Sequence, residues 1–127
     1  MPFSDPDRVW NRAALESGGG SPRPGDVALA ALLRVHGRIM NGGMSHAVDS
    51  LPPDALDDGR DGYRYFGLHA AADALEHAVV DASVDREATY LEYRSAVPTD
   101  DVLSSAFEAM FRSDPARFAP LSLDELR

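Results

Sequence analysis

Lysine and cysteine are both absent from this chain of 127 residues. Without cysteine there is no disulfide, no thiolate metal ligand and no thiol nucleophile. Without lysine, all 12 basic side chains are arginine, set against 21 acidic ones, for a formal net charge of −9. A basic footprint for nucleic acid is therefore missing, because engaging phosphates requires a positive surplus. Long apolar runs are missing too. The longest, residues 27–33, falls far short of the roughly 20 residues needed to cross a bilayer. The stretch Met1-Pro2-Phe3-Ser4-Asp5-Pro6-Asp7 shows no basic segment followed by an apolar one, so no secretory signal is read and a cytoplasmic location is expected. Alternation of apolar and polar residues, the mark of half-buried strands, is almost nowhere.

What is present is enough for a core. Hydrophobic residues make up 44% of the chain, which excludes disorder by composition. The length suits one domain over residues 1–127. Apolar residues recur near a period of 3.6, so the expectation is an all-α protein, a compact bundle of about six helices. A first helix is read over residues 6–16, capped by Asp5 with Pro6 at its first position. The Gly/Ser/Pro stretch over residues 17–25 leaves room for residues 1–25 to be only loosely attached. A second helix is read over residues 26–40, burying Leu29, Leu32, Leu33, His36 and Met40, and a short third one over residues 44–51. Pro52-Pro53 stops the third. A long central helix is placed near residues 61–82, then a fifth over 86–96 capped by Asp85, and a sixth over 100–111.

Few residues offer chemistry. His69, Asp73 and His77 stand four apart, the spacing that stacks side chains on adjacent helical turns and serves metal pairs. Steps of four drift by about 40° each, however, so a solvated helix face is the plainer reading. His36 lies amid an apolar stripe and reads as a core histidine with one hydrogen-bond partner, since no serine stands in a nucleophile elbow. Asp54, Asp57, Asp58 and Asp61 surround Gly59 as an acidic loop, but the calcium-loop register fails, with Tyr65 where the terminal Glu should be. No cofactor site is read.

The acidic excess is uneven. Residues 64–127 hold 12 of the 21 acids, and between Asp73 and Glu108 nine acids face only Arg86 and Arg94. The central to sixth helices should therefore carry a negative surface. Solubility alone explains a modest excess; a docking face for a basic partner is the functional reading.

One motif has a particular context. A helix leads into Asn41-Gly42-Gly43, a short apolar helix follows, and a longer one opens Tyr65-Phe66-Gly67-Leu68-His69-Ala70-Ala71-Ala72-Asp73-Ala74-Leu75. This resembles the helical domain of the bacterial DNA-mimic protein family, over residues 35–80 and more weakly through 90–118. Relatives usually place a Phe and further aromatics after the Asn-Gly-Gly, where Met44-Ser45-His46-Ala47-Val48 stand here. The resemblance implies an all-helical fold without enzymatic activity, and an acidic, often dimeric protein that occupies the DNA-binding surface of a basic partner. From the residues themselves the motif is architectural: Asn41 caps a helix, Gly42 ends it with positive φ, and Gly43 permits a sharp new start.

The favoured expectation is thus a non-enzymatic acidic interaction protein that docks a basic protein, whether a DNA-binding regulator or another target. It makes no direct nucleic-acid or membrane contact. Asp73, Glu76, Asp81, Asp85, Glu87 and Glu92 are the candidate contact carboxylates. An immunity-type or oligomerisation module, and a metal-binding helical protein using His69, Asp73 and His77, are the alternatives.

Overall fold

The structure, a computed structural model, describes residues 5–80 and 83–126. It contains six helices and a short 3-10 turn: α1 Asp5–Glu16, α2 Pro24–Ser50, α3 Pro53–Tyr65, α4 His69–Val80, α5 Arg86–Ala96, α6 Asp101–Ser113 and the turn Pro115–Arg117. The fold is all-α, and no strand occurs among the described residues.

The central element is α2 rather than a helix over 61–82. Its 27 residues run through the two helices read separately from the sequence, and both meet at Gly43, which holds φ 85° and ψ −179°. That conformation is closed to side chains in practice. The positive φ therefore belongs to Gly43 and not to Gly42, and the helix continues past Asn41 without the cap assigned to it. Only glycine sits comfortably there, so Gly43→Ala should cost about 1–2 kcal/mol of stability, read as a lower denaturation midpoint with an unchanged m-value. Before the bend α2 buries Leu29, Leu32, Val35 and Ile39; after it, Met44 and Ala47. Met40, assigned to the buried stripe, is instead exposed, because Val35 and Ile39 take the inward face.

The single long helix expected over 61–82 is two helices. The amide of Leu68 donates to the Tyr63 carbonyl at 2.9 Å and that of Gly67 to the Arg64 carbonyl at 3.0 Å, with Gly67 at φ 76°. This pair of bonds is a Schellman ending, which satisfies the last carbonyls of α3 and turns the chain into α4. The acidic stretch around Gly59 is not a loop but the body of α3. Its glycines face α2: a Cβ on Gly62 would collide with the Ala28 carbonyl oxygen, and one on Gly59 with Val35 Cγ2. Bare backbone at both positions lets α2 and α3 form the most extensive helix pair of the fold.

The first helix contributes Val9 and Ala13 to the core. It is anchored by a buried ion pair. Arg12 Nη2 donates to Asp26 Oδ1 at 3.0 Å and to the Ala119 carbonyl at 2.8 Å. Asp26 is fully buried, and its Oδ2 accepts from the amides of Arg23 at 3.0 Å and Ala119 at 2.7 Å. One carboxylate thus ties α1, the start of α2 and the C-terminal segment together. Above it, Phe107 meets Phe118 edge-on with ring centroids 5.3 Å apart, and Trp10 meets Phe107 at 5.7 Å.

Candidate functional site

The helices α4 and α5 pack side by side, and five of the six carboxylates singled out from the sequence lie on them or at the start of α5. Asp81 lies outside the described residues. The faces of these helices follow from their burial. Ala71, Ala72, Ala74, Leu75 and Ala78 turn α4 inward, and Thr89 and Tyr93 turn α5 inward. Short alanine side chains bring α4 close to its neighbours while its acids stay on the outer side.

Each carboxylate has a distinct situation. Glu76 accepts from Arg64 Nη2 at 2.8 Å, and Asp73 lies 3.8 Å from the same nitrogen. Arg60 reaches Glu76 at 3.8 Å. Both arginines come from α3, so a count along the chain between residues 73 and 108 overlooks this neutralisation across helices. Asp85 caps α5, accepting from the amides of Glu87 at 2.9 Å and Ala88 at 3.3 Å, which satisfies backbone donors that the helix leaves without partners. Glu92 pairs with His77 Nδ1 at 3.0 Å, bridging α5 and α4. The Glu92 carboxylate holds the exposed His77 imidazole above its ordinary value, first by this hydrogen bond and then by its charge. Glu87 is exposed, and no ion pair engages its side chain among the described residues.

His69, Asp73 and His77 are all exposed on α4, and among the described residues no group of three or more histidine or acidic side chains is placed to hold a metal ion. His77 turns instead to Glu92. Four-residue steps drift around a straight helix, and the carboxylate that α5 brings to this row, Glu92, pairs with His77.

His36 is buried, as its apolar surroundings imply, but it has two partners where one was expected. Asp100 can only accept, so His36 Nε2 donates to Asp100 Oδ1 at 2.9 Å. In the neutral ring Nδ1 then accepts from the Tyr93 hydroxyl at 2.7 Å, and the Tyr93 oxygen accepts from Tyr63 at 2.6 Å. Burial pushes both phenols above their ordinary range. They stay protonated at neutral pH, and the chain of hydrogen bonds fixes α2, α3 and α5 against one another and against Asp100 at the start of α6. None of His36, Tyr63 and Tyr93 lines any of the described cavities. Nothing in the local pattern announced this network, since its members lie 57, 64 and 30 residues apart in pairs.

No helix among the described residues is long and apolar enough to cross a membrane. The architecture and the site together define an acidic all-helical protein that presents carboxylates on adjacent helices. The model of the DMP19-like protein family matches residues 22–124, and the chain belongs to that family, whose namesake is a DNA mimic protein. No match is found among curated proteins or among solved structures.

Proposed function

We propose that the protein is a non-enzymatic acidic interaction protein that docks a basic protein partner, in the manner of a DNA mimic, through the outer face of α4 and α5. The observation that carries this reading is membership in the family of a DNA mimic protein over residues 22–124. The net charge of −9 agrees with it. Glu87 and Glu92 are the foremost contacts, with Asp73 and Glu76 beside them and Asp81 and Asp85 on the segment between the helices. Glu87 is the freest of the described set. Glu92 becomes more negative in effect when His77 is neutral, that is, above the raised value at which His77 titrates.

A contact of this kind weakens with salt because exposed charges are screened over about 8–10 Å. The test is binding to a basic DNA-binding protein of the host, measured by calorimetry at two ionic strengths. Affinity should fall about tenfold or more between roughly 50 and 200 mM salt. Affinity that does not change with salt would contradict docking through carboxylates. An oligomerisation module would instead show a mass that rises with protein concentration and no heterologous binding.

A further inference from the structure

The carboxylates of the α4–α5 face are compensated by cations of two kinds. Arg64 and Arg60, from α3, reach Glu76 at 2.8 and 3.8 Å, and Arg64 also lies 3.8 Å from Asp73. A guanidinium keeps its charge at every ordinary pH. Glu92 is compensated differently. Its counter-ion is His77, a side chain whose charge changes near neutrality. The imidazole Nδ1 stands 3.0 Å from Glu92 Oε1 and 3.2 Å from Oε2. It is shared by both oxygens, which is where a guanidinium would meet the carboxylate with two parallel N–H groups.

Both side chains of this bridge are open to solvent, 58% exposed for His77 and 41% for Glu92. An exposed pair of this kind holds together weakly, so a better cation can open it. The groups around His77 are one-sided. Glu92 faces it from α5, and Asp73 and Glu76 stand on its own helix. All three favour the imidazolium, Glu92 most, first through the hydrogen bond and then through its charge. From α3, Arg64 and Arg60 engage Asp73 and Glu76 and offset part of their effect. Asp81, four residues further on, lies outside the described residues.

We propose that docking on this face exchanges one cation for another: an arginine of the basic partner takes the Glu92 carboxylate, and His77 gives it up together with a proton. This rests on the α4–α5 face being the docking surface, and it adds regulation by pH. Once Glu92 is taken, His77 loses the group that held its charge, and the imidazolium releases a proton to solvent. By linkage, affinity rises with pH through the range in which His77 titrates. Below that range the imidazolium cancels Glu92 and competes with the partner; above it the carboxylate is open to the arginine. Asp73 and Glu76, held by arginines, bring no such dependence.

The test is an NMR titration of the full chain at low salt with the peptide acetyl-Arg-Ala-Arg-Ala-Arg-amide. It is run at pH about 5.5 and about 8.5, which bracket a histidine lifted above its ordinary value of about 6.5. Amide shifts of α4 and α5 give the affinity, and the His77 ring signals give its titration midpoint. The peptide should bind about threefold tighter at the higher pH, and saturating peptide should lower the His77 midpoint. His77→Gln should bind at the lower pH as tightly as the original chain does at the higher, with no dependence on pH. His69→Gln, exposed on the same helix, should keep the rise. Glu92→Gln should lower the His77 midpoint without any peptide. Equal affinity at both pH values, or a pH dependence that His77→Gln leaves in place, overturns the exchange at Glu92 while the acidic docking face stands. No shift at any α4 or α5 amide at either pH contradicts both.

Discussion

Asp26→Ala should destabilise the protein by about 3–5 kcal/mol, measured by urea unfolding. The side chain is fully buried and accepts from Arg12 and from the amides of Arg23 and Ala119. Its removal leaves a buried guanidinium without its nearest carboxylate and two amides without an acceptor. Arg12 keeps as ion-pair partner the half-buried Glu125, 3.3 Å from its Nη1, but losing the buried carboxylate together with the acceptor of two amides costs more than an ordinary lost hydrogen bond of about 1 kcal/mol. Small domains are stable by roughly 5–15 kcal/mol, so this one change consumes a large part of the total. Combining it with Arg12→Met should recover only part of the loss, because the Arg23 and Ala119 amides remain orphaned. Full recovery in the double variant would show that the ion pair, not the carboxylate's backbone contacts, is what matters.

Gly62→Val should cost about 3 kcal/mol, the upper range for overpacking. The new side chain is driven into the carbonyl oxygen of Ala28, which is backbone and cannot rotate away, so α2 and α3 must separate along their whole contact. Gly37 makes the contrast. It is exposed in the middle of α2 and nothing lies within 4 Å of an added Cβ, so Gly37→Ala should stabilise by about 0.5–1 kcal/mol through helix propensity. Thermal denaturation of the two variants side by side checks both signs.

Much of the helical layout was legible because its signals are local. Asp5 with Pro6, and Asp85 before Arg86, mark helix starts where the structure has them. Other parts needed tertiary information. Gly67 was visible within Tyr65-Phe66-Gly67-Leu68, the pattern of a helix ending, but the alanine-rich periodicity on its far side concealed the break. Gly59 reads as part of a loop because glycine lowers helix propensity; packing against α2 overrides that cost there and at Gly62, which falls inside the helix read over residues 61–82. Positive φ falls on Gly43 and not on Gly42, a choice between adjacent glycines that the pair itself does not announce. For the candidate site, the sequence located the acids but not their neutralisation. Arg60 and Arg64 cross from α3 to Glu76, a contact between helices that a running charge count cannot see. Arg12 with Asp26 stayed hidden for the same reason, the two residues meeting only when α1 folds back on α2.

The unequal compensation of the carboxylates also orders their roles. Asp85 is tied to a helix start, and Glu76 to arginine. Glu87 and Glu92 stand on the outer face of α5, the first exposed without an ion pair of its side chain among the described residues and the second shared with a histidine. Substituting these two should therefore affect partner binding with little effect on folding, whereas Asp85 would affect both.

The most direct measurement is displacement of labelled DNA from a basic DNA-binding protein of the host, followed by fluorescence anisotropy as this protein is added. The account predicts that DNA is released at low salt and that Glu87→Gln with Glu92→Gln raises the concentration needed several-fold, by about 1 kcal/mol or more, while the denaturation midpoint stays in place. Binding of the partner with DNA still in place, or release that the double variant leaves unchanged, would contradict docking of a DNA-binding surface on the α4–α5 carboxylates.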